Sequence, residues 1–429
     1  MPSMKFFLLF VFTLSASAGV LTLDEAVLMA LKSHPDVQSA SLKVESANAD
    51  TRSIQASLYP RIDLNADYFP TKTFVMPSNG VFSTRQNDAF HADVSGNYSL
   101  WDFGRNADRR QAAGYKEEEA ASDKISLQNS IIEQVWLRYT TVAYLERLID
   151  TAQKSSQFYK EQYHQSVKMR EAGLKTQADE SRFKASWMEA DEHLRATRAE
   201  VDKTLLALGL LVGSNQPITI DEEDFDRRVN AISYTADDLG LLRQELSKNN
   251  PKLIALKAII DHSKALSDAA SKEAYGTVSL VGSYGHDNSL SSYDSSQIGV
   301  KGTIPLYDGG KMSADAQKSR IAFTLAQKEY ESAERALWQE LYGAIIDLKR
   351  SDETIATKTG VIDATQRALS LMEGRYAQGL ATYIDVLESQ SVLESARIAH
   401  AEAKLQKIRA WAQIRRLLNK GCDNDICKN

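Results

Sequence analysis

Proline is scarce in this chain and unevenly spread. There are eight, and none lies between Pro77 and Pro217 or after Pro305. A proline inside a helix costs roughly 3 kcal/mol, so the two proline-free tracts predict two long helical regions. Long apolar runs are missing as well. The one apolar stretch at the start, residues 6–14, follows Lys5 and precedes Ala16-Ser17-Ala18. That order reads as a signal peptide over 1–18, and 6–14 falls well short of the roughly 20 residues that span a bilayer. No later segment is long enough either. The mature chain is therefore either soluble outside the cytoplasm or a β-barrel protein.

Cysteine is nearly absent. Cys422 and Cys427 are the only two, and neither follows the cleavage site, which argues against a lipid anchor there. In an oxidising compartment they could close a small disulfide loop. Two thiolates without a nearby histidine do not complete a metal tetrahedron. Positive charge is not in excess: 51 Lys and Arg face 57 Asp and Glu, and no basic patch is interleaved with aromatics, so nucleic acid is not the expected partner. Enzyme signatures are missing too. There is no H-E-x-x-H, P-loop, G-x-S-x-G or dinucleotide fingerprint. The seven histidines are scattered, except that His286 adjoins Asp287 in what reads as a surface loop. No catalytic residue, metal site or cofactor is expected.

What is present is a duplication, the feature to seek first. His34-Pro35 and Asn250-Pro251 lie 216 residues apart, as do Tyr59 and Tyr275. Farther on, Leu100-Trp101-Asp102-Phe103-Gly104 matches Leu306-Tyr307-Asp308-Gly309-Gly310 at an offset of 206. Gly173-Leu174 and Gly379-Leu380 keep that offset, as do Thr176 and Thr382, and Asp179 and Asp385. The ten-residue change implies a longer loop in the first half, since length variation belongs in exposed loops. The division is then a first repeat over 19–213, a linker over 214–235, a second repeat over 236–420 and a tail over 421–429.

Each repeat reads as helix, strand, loop, strand, very long helix, helix. Strands are expected at 61–69, 90–101, 277–284 and 297–307. They alternate: Ile62, Leu64, Ala66 and Tyr68 oppose Arg61, Asp63, Asn65 and Asp67. Such alternation over about ten residues fits a lipid-facing barrel strand, and equally a soluble hairpin with one buried face. Trp101 and Tyr307 at the strand ends fit an interfacial girdle or packing at the junction with the helices, which Asp102 and Asp308 could cap. Leu341, Leu348, Ile355, Ile362 and Leu369 recur every seven residues, a coiled-coil spacing. Ile132 and Tyr139, and Val135 and Val142, repeat it in the first half. The helix expected from Arg105 to about Ala172 would be roughly 100 Å long.

Together, the signal peptide, the tandem repeat, L-x-W/Y-D-x-G and Y-x-x-G-x-x-T-x-x-D resemble the TolC-like outer-membrane efflux proteins, over nearly the whole mature chain. The resemblance implies a mainly α trimer in the bacterial outer membrane, extending into the periplasm. A shared 12-stranded transmembrane β-barrel would continue into a 12-helix α-barrel. It implies an exit duct for a tripartite efflux pump or type I secretion system. The partners implied are a periplasmic adaptor protein, an inner-membrane pump or ABC exporter, and outer-membrane lipid. Four strands per chain agree, because membrane barrels need about eight or more.

The resemblance also places residues. Asp385 and Glu388 match the carboxylates of the periplasmic aperture, and Tyr376 matches a tyrosine of the entrance network. Some family members carry an arginine where this chain has Ala381, so the entrance lock must differ here. Gly173, Leu174, Gly379 and Leu380 fall where an adaptor would contact the helix tips. Read without the family, the acids are solvated surface groups and the Gly-Leu pairs are ordinary helix breaks. A secreted trimeric coiled-coil scaffold or adhesin is the alternative function; it explains the heptads but not the four strands placed alike in both repeats.

Overall fold

Helix boundaries fall where caps and prolines put them. In this computed structural model, which describes residues 20–78, 80–214, 218–232, 239–289 and 291–420, β1 (Val20–Leu21) leads into α1 (Leu23–Ser33). Thr22 and Glu25 cap α1 reciprocally: Glu25 N–H donates to Thr22 Oγ1, and Thr22 N–H donates to the Glu25 carboxylate at 3.0 Å. α2 (Pro35–Ala56) then starts on its proline, with the Asp36 N–H donated to His34 Nδ1 at 3.2 Å. The second repeat does the same with different chemistry. Pro251 opens α7 (Pro251–Ser271), and Asn250 Oδ1 accepts from Lys252 N and Leu253 N. Proline suits the first turn because that N–H has no helical partner.

The proline-free tracts become α3 (Arg105–Glu171) and α8 (Lys311–Ala377), each of 67 residues. The D-x-G motifs start both. Asp102 accepts from Gly104 N at 3.0 Å and Asn106 N at 2.7 Å, and Asp308 accepts from Gly310 N and Met312 N in the same pattern. α4 (Gln177–Val212) and α9 (Tyr383–Leu417) follow them. The span read as a linker contains β4 (Thr219–Ile220) and α5 (Glu222–Ala231), and α6 (Leu239–Asn249) comes after it. The signal peptide, Ala236-Asp237-Asp238, Cys422 and Cys427 lie outside the described residues.

Chain contacts define two units, and each combines pieces of both repeats. The first takes residues 1–38, 127–246 and 337–429; the second takes 39–126 and 247–336. In the first unit β1 and β4 pair in parallel. Tyr139, fully buried, reaches this ribbon with its hydroxyl 3.1 Å from Leu21 O and 3.3 Å from Asp221 O. The heptad positions point inward: Leu341, Leu348 and Leu369 are buried, and Ile355 and Ile362 half-buried. Gly213 ends α4 at φ 72° against Ser33, whose Oγ would lie 2.5 Å from an added Cβ. A side chain there would clash as well as strain the backbone.

The second unit holds one antiparallel sheet in the order β2-β3-β5-β6: β2 (Arg61–Ser78), β3 (Val81–Trp101), β5 (Thr277–Asn288) and β6 (Ser292–Thr303). Register aligns Leu64, Val94, Tyr284 and Ser296 in one row, and Asp63, Ser95, Ser283 and Gln297 in the next. Adjacent rows face opposite sides. One face is therefore largely apolar and bare, with Ile62 at 73%, Leu64 at 76% and Ile298 at 82% exposure. Asp63, His91, Asp93, Ser95 and Gln297 line a hollow of about 510 Å³ on the other. No described helix is long and apolar enough to cross a membrane.

Three expectations change. β6 stops at Thr303, so Tyr307 follows the strand rather than ending it. The ten extra residues of the first repeat are not a loop. They lengthen both strands, and residues 81–89 of β3 run beyond the last β5 pair, Phe90 with Asn288. His286 lies in β5 rather than in a loop. Its Nδ1 meets Asp294 at 2.8 Å, while Asp287, on the opposite face, lies 3.7 Å from His91. At the foot of β3, Trp101 packs edge-on to Phe103, which leans on Tyr275.

Candidate functional site

The residues singled out from the sequence meet at two helix–turn–helix tips, both in the first unit. Each tip is written by the same four residues, Gly, Leu, Thr and Asp. At the end of α3, Gly173 adopts φ 75°, Gly173 N donates to Arg170 O and Leu174 N to Met169 O. At the end of α8, Gly379 adopts φ 73°, Gly379 N donates to Tyr376 O and Leu380 N to Arg375 O. This paired bonding is the Schellman ending, which needs a left-handed residue after the helix. Three residues past each glycine comes a threonine, and three further an aspartate. Thr176 with Asp179 and Thr382 with Asp385 form reciprocal caps for α4 and α9. Asp385 Oδ2 accepts from Thr382 N at 2.7 Å and from Thr382 Oγ1 at 2.8 Å.

Asp385 therefore has a structural task that the aperture reading omits. Bonds from Thr382, first its backbone N–H and then its hydroxyl, hold its carboxyl below the ordinary aspartate range. Asp179 is lowered by the same Thr176 contacts, with smaller help from Lys175 and Arg182. Glu388 makes no such bond and lies exposed with Asp385. Leu174 and Leu380 are bare at 71% and 64%.

Behind the tips lies a core of Phe183, Leu369, Tyr376, Val386 and Leu393, with Ala381 and Tyr383 packed against it. It joins the two repeats. Phe183 of α4 meets Tyr376 and Tyr383 edge-on, with ring centroids 6.0 and 5.8 Å away. Two cations of the first repeat lie on these tyrosines. Lys175 Nζ sits 4.6 Å from the Tyr376 ring centre, and the Arg182 guanidinium 4.9 Å from that of Tyr383, donating to its hydroxyl. Tyr376 itself is buried, and its hydroxyl has no hydrogen-bond partner among the described residues. Burial, and then the nearby Asp179 charge, push its pKa up. Lys175 occupies the repeat-equivalent position of Ala381, 206 residues earlier. Neither cation contact was read from the sequence.

The chain thus combines two long helical hairpins with a four-stranded antiparallel sheet that has one bare apolar face, the parts expected of an outer-membrane channel subunit. The outer membrane efflux protein family matches residues 27–214 and 242–420, and the chain belongs to that family. The chain is 21% identical to outer membrane protein TolC of Escherichia coli (strain K12), over 92% of this chain and 81% of that one. It is 22% identical to the alkaline protease secretion protein AprF of Pseudomonas aeruginosa, over 95% and 86%. Among solved structures, the CusC channel superposes with a TM-score of 0.82 at 17% identity, covering 92% of this chain and 91% of that one. The outer membrane protein VceC of Vibrio cholerae gives 0.80 at 18%, covering 92% and 95%. Nothing among these relatives supports a secreted adhesin.

Proposed function

We propose that three copies of this chain close a 12-stranded barrel in the outer membrane and a 12-helix tube below it. The trimer is the exit duct of a tripartite efflux pump or a type I secretion system. The observation that carries this is the sheet: among the described residues it has four strands, one apolar face bare, and β2 and β6 each with an unpaired edge. In lipid each unpaired backbone group costs several kcal/mol, so the edges must close on other copies. Three sheets of four strands give a barrel within the known range. The duct is passive, and a periplasmic adaptor and an inner-membrane pump or ABC exporter supply cargo and energy. Relatives named for efflux, such as the toluene efflux pump outer membrane protein TtgF of Pseudomonas putida, and for protease secretion support both settings. In mild detergent, the folded protein should have three times the mass of the mature chain. A stable folded monomer in lipid would overturn the assignment.

Asp385 and Glu388 form the aperture in this reading, as two stacked rings of three carboxylates. Tyr376, covered by Lys175, and Tyr383, held by Arg182, form the contacts that keep the entrance narrow. Gly173-Leu174 and Gly379-Leu380 present the apolar knobs that an adaptor hairpin would seat on. Cys422 and Cys427 are proposed to pair within the chain, dispensably for assembly because the loop they close is short. Intact mass should rise by two hydrogen atoms on treatment with reductant. Two free thiols in protein taken from the periplasmic side would refute the pairing.

A further inference from the structure

The ribbon that extends past the sheet gathers both of its cations on one face. Beyond Phe90, β2 and β3 continue as a two-stranded ribbon, and Asn87 Nδ2 ties its base to Ser289 O at 2.6 Å. A bulge between Phe69 and Lys72 puts two residues, Pro70 and Thr71, opposite one on β3. Proline is tolerated at such a place because no ladder N–H is needed. The bulge preserves the phase of the faces. Lys72 Nζ lies 5.6 Å from the Phe69 ring centre and 5.5 Å from that of Phe74, so the three share a side. Arg85 is the register partner of Phe74 and shares it too. Phe69 alternates with Asp67, Asn65 and Asp63, so this is the polar face of the sheet continued outward.

Along that face the sign of the charge reverses. On the sheet Asp63, Asp67, Asp93 and Asp287 outnumber Arg61 and Lys301, whereas the ribbon carries Lys72 and Arg85 alone on that face. Neither cation has a carboxylate partner among the described residues. The one acid of the ribbon, Asp88, falls on the other side by alternation. Charges that only guard a ribbon edge against pairing could sit on either face. Here both share one face with Phe74 between them, a pairing of cations and aromatic surface that suits an anion with some apolar body.

We infer that Lys72, Phe74 and Arg85 form a collar at the exit mouth that binds soluble polyanions in the outgoing stream. The inference rests on the trimeric-duct reading, in which threefold symmetry sets six cations around the opening above an acidic wall. The collar would draw anionic cargo past that wall and hold it briefly at the mouth.

The test is ion conduction by the full-length trimer in neutral-lipid planar bilayers, with inositol hexakisphosphate as the probe, added to each side in turn. Current should be blocked from one side only, and less so as salt rises. The Lys72→Ala/Arg85→Ala variant should need at least about tenfold more probe for half block, with its conductance without probe retained. Lys72→Arg/Arg85→Lys should keep the block. Conducting channels that show no block, or equal block in parent and double-Ala variant, overturn the inference. So does a parent block that vanishes when anionic lipid is placed in the leaflet on that side, since the cations would then serve lipid headgroups. Absence of any trimer or channel would instead count against the duct itself.

Discussion

Replacing Phe183 by Ala should loosen the two helix tips more than any other single change near the entrance. The side chain is fully buried and contacts Tyr376 and Tyr383 of the second repeat. Truncating a buried phenylalanine costs about 3–5 kcal/mol, because the cavity collapses only in part. The Lys175 and Arg182 contacts lie nearer the surface, where a cation over a ring contributes about 0.5–1 kcal/mol. The apolar ring cluster, not the cations, is then the main tie between the repeats at this end. The cations set its geometry.

The readout is trypsin cleavage after Lys175 and Arg375, which flank the two turns. When cutting tracks the open population, such a loss raises its rate on the order of a hundredfold or more. Phe183→Leu, which keeps most of the volume, should raise it far less. Basal conductance of the trimer should increase in step. Cleavage of Phe183→Ala at the parent rate would mean that the tips are held elsewhere.

Most of the helical frame was legible locally. Proline placement and the D-x-G motifs fix the starts of α3 and α8, because helix ends depend on a few neighbouring residues. The matching offsets of Gly173 and Gly379, and of Thr176 and Thr382, also mark real punctuation. The T-x-x-D part was in plain view as a cap pattern, yet Asp385 was read only for its charge. The far ends of the strands were not legible. Pro70, Pro77 and Gly80 suggest a loop, whereas pairing between β2 and β3 makes a ribbon. That pairing is tertiary, and strand preference depends on what lies across the ladder. The Lys175–Tyr376 and Arg182–Tyr383 contacts each join residues 201 apart. Only the folded chain brings them together, although the repeat offset from Lys175 to Ala381 hinted that the cation sits in the other half.

Removing charge at Asp385 and Glu388 while keeping shape should abolish most of the duct's cation selectivity. Asp385→Asn keeps an oxygen that can accept from Thr382 N–H, and Glu388→Gln keeps the side-chain length. In the trimer the pair would set six carboxylates near the axis, a ring arrangement that favours cations. The Asn/Gln variant in planar bilayers should lose that preference and its block by trivalent hexaamminecobalt, with residual selectivity from other lumenal acids. Asp385→Ala should do the same and also fray the start of α9, since it removes the cap. Asp179 should matter less: the residue at the Glu388-equivalent position is Arg182, whose charge already acts on it. The pH dependence follows from the cap. Thr382 donates to the ionised Asp385 carboxylate and lowers its pKa. The cap's contribution is complete above the ordinary aspartate value and fades only as pH falls through the depressed one. Hydrogen exchange at the first-turn amides of α9 should therefore stay slow to a pH below the ordinary aspartate range. If the Asn/Gln channel matches the parent in both selectivity and block, the narrowest ring lies elsewhere and Asp385 is a helix cap alone.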